Sequence, residues 1–275
     1  MATADVVAIN YSRDVGWAGS LIAEICRDDP STVDLTFNYD GGVEIGVWEQ
    51  RLPAATFAQA LALVQRSGYR GLPSPDESPP EAKFIAVGER EQGQPLPFLR
   101  AFELMMVPPP VSALGVELEK LVVGPIRRHP LRVIHGAAAW ARPAFAAGEL
   151  LEIEVVLGNS GTLPLEMGNP LDAAADGWNG MRLVMVDAGG HELAVDLTLA
   201  NLRPPAGAPT DATVTLDPGK ALPFQVHKKV YLTPGRYSGR LEYHGLMSNP
   251  GNRQLITGAL WLDLGTVEIR RGLRL

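Results

Sequence analysis

The sequence predicts an α+β domain, an antiparallel sheet with two helices, followed by an all-β immunoglobulin-like sandwich. Segments with helical periodicity occur only in the first half, whereas alternating segments run through the second half. The 275 residues include 29 glycines and 23 prolines, a length that exceeds one small domain and a composition that indicates many turns. We therefore expect the α+β domain at residues 1–138 and the sandwich at residues 139–275.

The first domain is expected to begin with a strand at Val6–Tyr11, which a loop follows. The apolar run Leu21–Cys26 fits a strand or a short helix, and we interpret it as a strand. Apolar residues then alternate on both sides of Asp40-Gly41-Gly42, the pattern of a β-hairpin closed by an Asp-Gly turn. Alternation predicts a second hairpin whose strands lie at residues 83–90 and 96–104.

Two helices are predicted in this domain. From Ala54 to Arg66, apolar residues recur on one side of a helix that Gly68 is expected to end. Ser112 is expected to cap a second helix, and Pro125 is expected to limit its length.

The second domain is organised around residues 213–243, where three alternating segments are separated by two Pro-Gly turns. Proline fixes φ near the value that a turn requires, and glycine accepts the positive φ that other residues resist. Further hairpin turns are expected at Gly158–Gly161 and Asp187–Gly190, and no helix is expected in this half. The remaining strands are predicted at residues 150–157, 163–167, 181–186, 191–199, 256–264 and 266–270.

Charge and composition exclude several classes of function. A net charge of −7 argues against a nucleic-acid-binding face, which requires clustered lysines and arginines. The N-terminus lacks the basic and apolar regions of a secretory signal, and no apolar run reaches the roughly 20 residues of a membrane span. We therefore expect a cytoplasmic protein. Cys26 is the single cysteine, which excludes an intramolecular disulfide, and we interpret it as a small buried apolar side chain.

Catalytic motifs are absent from the sequence. It contains no HExxH, GxSxG, GxGxxG or P-loop pattern, so metalloprotease, lipase-like and nucleotide sites are not predicted. His129 and His135 have the spacing of two ligands on one strand, but Pro130 intervenes and no third ligand lies nearby. Asp172 and Asp176 lie in a loop that lacks the acidic alternation of a calcium site. We expect no catalytic residue, no metal and no cofactor.

The residues best suited to binding a protein lie in two loops. Tyr11, Arg13 and Trp17 are close together in sequence, and these residue types dominate binding hot spots; the alternative is that Trp17 packs onto the sheet. The second candidate loop begins at His244 and includes Met247 and Asn249, at one end of the expected sandwich, where such folds often contact partners.

Two resemblances to known families can be stated from these patterns. The first half has Tyr11-Ser12-Arg13, then Tyr39-Asp40-Gly41-Gly42-Val43, then Ser67-Gly68-Tyr69, and it resembles the emfourin (protealysin inhibitor) family. That resemblance implies an intracellular inhibitor of thermolysin-type metalloproteases. The second half, with LDPGKALPFQV and TPGRYSGRLEY, resembles immunoglobulin-like domains of the bacterial intracellular proteinase inhibitor (BsuPI) kind.

The resulting prediction is a non-enzymatic protein that binds another protein, as a stoichiometric inhibitor of a protease or a toxin. Three alternatives remain open at this point. The chain could be an immunity protein for a secreted effector, a hydrolase whose site combines carboxylates and histidines from distant positions, or a structural adaptor in a larger assembly.

Overall fold

The computed structural model describes residues 6–14, 20–36, 44–73, 83–172, 178–246, 256 and 258–271. The chain is mostly β, with large antiparallel sheets and two α-helices. It forms two compact units, one of Met1–Phe37 with Gly46–Leu131 and one of Asn38–Ile45 with Arg132–Leu275. The main division falls between residues 131 and 132, and residues 38–45 also belong to the second unit, whereas the sequence predicts one boundary between residues 138 and 139.

The first unit contains an antiparallel sheet with the strand order β4-β3-β2-β1-β5-β6. Strands β3 and β4 pair as the predicted Asp-Gly hairpin requires, although residues 37–43 between them lie outside the described part of the chain. Strands β5 and β6 pair from Phe84–Glu103 to Glu89–Phe98, which confirms the second hairpin. The strands are β1 (Val6–Asp14), β2 (Ser20–Cys26), β3 (Ser31–Leu35), β4 (Glu44–Gln50), β5 (Phe84–Glu91) and β6 (Phe98–Glu103).

Helix α1 spans Ala54–Ser67 and ends as predicted at Gly68, whose φ of 62° is left-handed. Helix α2 spans Pro109–Ile126, so the prediction that Ser112 caps it is wrong. Proline is favoured in the first helical turn, where its missing N–H would have no intrahelical partner, and the helix therefore starts earlier. Pro125 lies inside the last turn of α2. Within the described ranges, no helix has the length and apolar character needed to cross a membrane.

One face of the first unit's sheet packs against the helices. Alternate residues of the central strands are buried, including Ile9, Tyr11, Ala23 and Val87, as expected from the period of a strand. Helix α1 contributes Phe57, Ala60 and Val64, and helix α2 contributes Leu114, Leu118 and Val122.

The second unit contains no α-helix in its described residues. Its strands form one sheet in the order β13-β15-β9-β7, a second in the order β12-β11-β16-β17-β8, and a pair, β10-β14. The strands are β7 (Pro130–Trp140), β8 (Ala144–Ala146), β9 (Leu150–Asn159), β10 (Leu165–Gly168), β11 (Trp178–Asp187), β12 (Glu192–Thr198), β13 (Leu202–Arg203), β14 (Thr213–Leu216), β15 (Ala221–Lys229), β16 (Gly235–Leu246) and β17 (Gly258–Arg270).

The three strands predicted in residues 213–243 all form, as β14, β15 and β16. Each lies in a different sheet: β14 pairs with β10, β15 with β9 and β13, and β16 with β11 and β17. The two Pro-Gly turns therefore connect sheets and do not close hairpins. A single buried cluster draws on all three sheets and includes Met167, Leu216, Phe224 and Leu241.

Two local predictions in the second unit are wrong. Residues 158–161 do not close a hairpin, because β9 pairs with β7 and β15, while β10 pairs with β14. Asn159 instead holds the chain there through side-chain hydrogen bonds to two carbonyl oxygens. The two strands predicted at 256–264 and 266–270 are one strand, β17, in which Gly265 takes a φ of 65° and the register with β16 shifts.

Asp34 on β3 is half-buried and makes no hydrogen bond or ion pair with a described residue, and the partial loss of solvent raises the pKa of its carboxyl group to about 6. A folded-state pKa above the unfolded value of about 3.9 means that the charged form opposes folding above pH 6. We expect Asp34→Asn to raise the free energy of unfolding by about 1–2 kcal/mol at pH 8, with the gain vanishing as the pH falls toward 4. Urea unfolding at both pH values measures it, with the exposed Asp28→Asn as control. A gain independent of pH would contradict the assignment.

Candidate protein-binding site

The structure places Tyr11 in the interior, not in an exposed loop. Strand β1 continues to Asp14, and the Tyr11 side chain is 2% exposed. Its hydroxyl donates to Oε1 of Glu119 on helix α2 at 2.8 Å, and Nη2 of Arg13 donates to Oε2 at 3.1 Å. A Cβ on Gly115 would lie 2.7 Å from the Tyr11 hydroxyl, so this glycine permits the close approach. The two side chains thus join sheet to helix, and Trp17 lies outside the described residues.

His244 belongs to strand β16, where it packs beside Glu242. Nε2 of His244 lies 3.1 Å from Oε2 of Glu242, and the Arg240 guanidinium donates to Oε1 at 2.6 and 2.9 Å. Burial raises the pKa of Glu242, but the hydrogen bonds from His244 and Arg240 outweigh it, so the pKa lies below its ordinary value. Arg240 also lies 4.9 Å from the Trp261 ring centroid.

This arrangement on β16 uses both oxygens of Glu242 for contacts within the chain, as a structural ion pair does. It shows His244 as part of a strand and not as part of a projecting loop. Met247 and Asn249 lie outside the described residues, so their assignment to a binding loop stays a prediction.

The other polar candidates from the sequence show no site in the described ranges. No group of three or more metal-ligating side chains occurs there, around His129, His135 or Asp172, and Asp176 is outside these ranges. Burial, followed by the charge of Glu24, raises the pKa of Cys26 to about 11. The thiolate is therefore scarce at neutral pH, as the interpretation of Cys26 as a buried apolar side chain requires.

Exposed apolar side chains are concentrated in residues 96–106 of the first unit. The segment comprises the end of the β5–β6 loop, strand β6 and the 3₁₀ turn Leu104–Met106. Contiguous exposed apolar surface marks interaction sites more often than single exposed residues do. The large apolar side chains exposed in this segment are Leu96, Phe98, Leu99, Met105 and Met106.

Phe98 lies at the start of strand β6 in this segment, and it is 48% exposed. The guanidinium carbons of Arg70 and Arg100 lie 5.0 and 5.9 Å from its ring centroid, within the range of cation–π attraction. The buried ring of Tyr69 packs against it at a centroid distance of 6.5 Å. We call Arg70, Phe98 and Arg100 the Phe98 surface.

A buried carboxylate fixes this arrangement. Glu89 is 5% exposed and accepts hydrogen bonds through Oε2 from Nε of Arg70 at 2.7 Å and from the Tyr69 hydroxyl at 3.2 Å. Burial and the charge of Glu89 raise the pKa of Tyr69 to about 12, so the phenol keeps its proton and remains a donor. Arg100 donates to the carbonyl oxygens of Arg70 at 2.9 Å and Leu72 at 3.4 Å.

The Phe98 surface was not found from the sequence. The alternation of apolar residues predicts strand β6, but it does not show that Phe98 on this edge strand remains half exposed. The one available signal was Leu96-Pro97-Phe98-Leu99, where apolar residues stand on both faces of a strand that should have one polar face.

No family model matches the chain, and no curated protein matches it. Among solved structures, AvmM, which catalyses macrocyclization in alchivemycin A biosynthesis, is similar at 14% identity and a TM-score of 0.28, over 50% of this chain and 89% of that one. A family 123 glycoside hydrolase from Clostridium perfringens shows 10% identity and a TM-score of 0.30, over 52% of this chain and 28% of that one.

The alkylpurine DNA glycosylase AlkC of Pseudomonas fluorescens shows 10% identity and a TM-score of 0.25, over 57% of this chain and 38% of that one. TM-scores of this size give no ground for inferring a shared fold or activity. The resemblances of the two halves to emfourin and to BsuPI-type domains accordingly stay predictions.

Proposed function

We propose that this protein acts without turnover, by binding another protein through the Phe98 surface. The observation that favours this role is a half-exposed phenylalanine beside two arginines, of which Arg70 is held by a buried carboxylate and Arg100 by two backbone carbonyl oxygens. Aromatic and arginine side chains dominate binding hot spots, and their rotamers are already fixed here, so little conformational entropy is lost on binding.

The partner that we propose is a protease or a toxin, and the mode is stoichiometric inhibition in the cytoplasm. This part of the proposal is supported by the sequence resemblances described above. We further propose that the first unit is an independent α+β domain and the second an immunoglobulin-like sandwich. The buried cluster shared by the sheets of the second unit supports the latter.

Titration of a thermolysin-type metalloprotease and of a subtilisin-type serine protease tests this role. We expect the wild-type chain to abolish peptide hydrolysis by one of them at a 1:1 ratio. Phe98→Ala should weaken inhibition by about 30-fold, because a hot-spot side chain contributes about 2 kcal/mol to binding. The measurement is the inhibition constant, with far-UV circular dichroism to confirm folding.

Tyr231→Ala is the matched control, because Tyr231 is an exposed aromatic residue with Lys229 5.4 Å from its ring centroid. It lies in the second unit, and we expect its inhibition constant to equal that of the wild type. Inhibition that Phe98→Ala leaves unchanged would place the interface elsewhere. Hydrolysis by both proteases that persists at a tenfold excess of the wild-type chain would contradict the protease-inhibitor class.

A further inference from the structure

We infer that the Phe98 surface recognises a linear segment in which a carboxylate adjoins an apolar side chain. This inference rests on the proposed binding role and specifies the chemistry of the partner. Two features support it, the charge on Arg100 and the exposed apolar atoms beside it, and the acidic balance of the whole chain limits which carboxylate-bearing partners fit.

Arg100 has no carboxylate partner among the residues that the structure describes. Its guanidinium donates two hydrogen bonds, both to carbonyl oxygens, so no described carboxylate offsets its charge and further N–H donors remain. Arg70 beside it differs, because Glu89 and Glu91 lie within 4.0 Å of its guanidinium.

The apolar part of the surface adjoins this charge. Phe98 lies within 5.9 Å of the Arg100 guanidinium, and Leu96, two residues away in sequence, is 76% exposed. An apolar side chain of a partner that packs on Phe98 would exclude water from the neighbouring guanidinium. Removing water lowers the local dielectric constant and strengthens an ion pair between Arg100 and a partner carboxylate.

The net charge of −7 restricts the partner further. Long-range repulsion disfavours a polyanion, so a carboxylate should be recognised only when apolar contacts accompany it. We therefore expect the Phe98 surface to bind a short segment in which glutamate or aspartate stands beside phenylalanine or leucine. We do not expect it to bind a segment that contains only acidic residues.

Fluorescence anisotropy with three labelled eight-residue peptides tests this inference. The first alternates Glu with Phe or Leu, and the other two replace each Glu by Gln or by Lys. We expect the wild-type chain to bind the Glu peptide at least tenfold more tightly than the Lys peptide. Arg100→Glu should reverse that order, Arg100→Gln should remove the preference, and Phe98→Ala should weaken binding of all three peptides.

The control is Arg236→Glu, which makes the same change in net charge at an exposed position of the second unit, and it should keep the wild-type order. Equal binding of the Glu and Lys peptides would overturn the inference, as would a preference that Arg100→Glu leaves intact, or no binding of the Glu peptide at millimolar concentration. The protease titration distinguishes the two proposals, because inhibition sensitive to Phe98→Ala but not to Arg100→Gln would sustain the binding role alone.

Discussion

Replacing Gly88 by alanine is expected to lower the free energy of unfolding by about 3 kcal/mol. Gly88 lies on β5 opposite Leu99 of β6, and an added Cβ would lie 2.4 Å from the Phe98 carbonyl oxygen. Backbone atoms cannot move away by changing a rotamer, so β6 would have to separate from β5. The midpoint of urea unfolding measures the loss, and hydrogen exchange of the β5 and β6 amides locates it.

The matched control is Gly124→Ala on helix α2, where an added Cβ meets nothing within 4 Å. Alanine has the higher helix propensity, but a Cβ directly before Pro125 disfavours the helical conformation, so this variant should change the free energy of unfolding by less than about 1 kcal/mol. Because Phe98 would move with β6, Gly88→Ala should also abolish binding at the Phe98 surface. A Gly88→Ala protein with wild-type stability would show that the two strands have room to adjust.

Asn159→Ala is expected to cost about 3 kcal/mol of stability in the second unit, at about 1 kcal/mol for each lost hydrogen bond. The side chain is 1% exposed, and its Nδ2 donates to the carbonyl oxygens of Leu163 at 2.9 Å and Leu216 at 2.8 Å. Its Oδ1 accepts from the Gly161 N–H at 2.8 Å. Alanine would remove the side-chain partner of all three backbone groups, and the bonds to the Leu216 carbonyl and the Gly161 N–H are buried. Urea unfolding measures the change.

Two variants sharpen this prediction. Asn159→Asp keeps the acceptor for Gly161 but directs a buried carboxylate at two carbonyl oxygens, so it should destabilise at least as strongly at neutral pH. Asn10→Ala is the control, because Nδ2 of Asn10 is buried without a hydrogen-bond partner in the described part of the chain; it should change stability by less than about 1 kcal/mol. Equal losses in Asn159→Ala and Asn10→Ala would refute the assigned role.

Local features of the fold were predictable from the sequence because they depend on residues close together in the chain. Helix α1 and its end at Gly68, the β5–β6 hairpin and the strands β14, β15 and β16 follow from periodicity and turn residues. The pairing of those three strands does not follow, because it depends on β10, β9 and β11, which are distant in sequence.

The candidate site was less predictable, because exposure depends on tertiary packing. Tyr11 is a residue type common in binding hot spots, and Arg13 is close to it in sequence. Its ring is nevertheless buried, because Gly115 on α2 leaves room for the hydroxyl and Glu119 accepts its hydrogen bond. Phe98 has the pattern of a core residue, yet it remains half exposed at the outermost described strand of its sheet. Neither outcome is encoded in the few residues around it.

The division of residues 213–243 among three sheets bears on how the chain folds during synthesis. The strands β9, β10 and β11 precede residues 213–243 in the chain, so they leave the ribosome first. Each of them pairs with a strand from this stretch, which is synthesised later. A nascent chain that stops before residue 213 would expose unpaired strand edges in every sheet of the second unit, and such edges are prone to aggregation. The three sheets of the second unit can therefore be completed only after residues 213–243 have been synthesised, and β17 then adds to the sheet of β16 and β8.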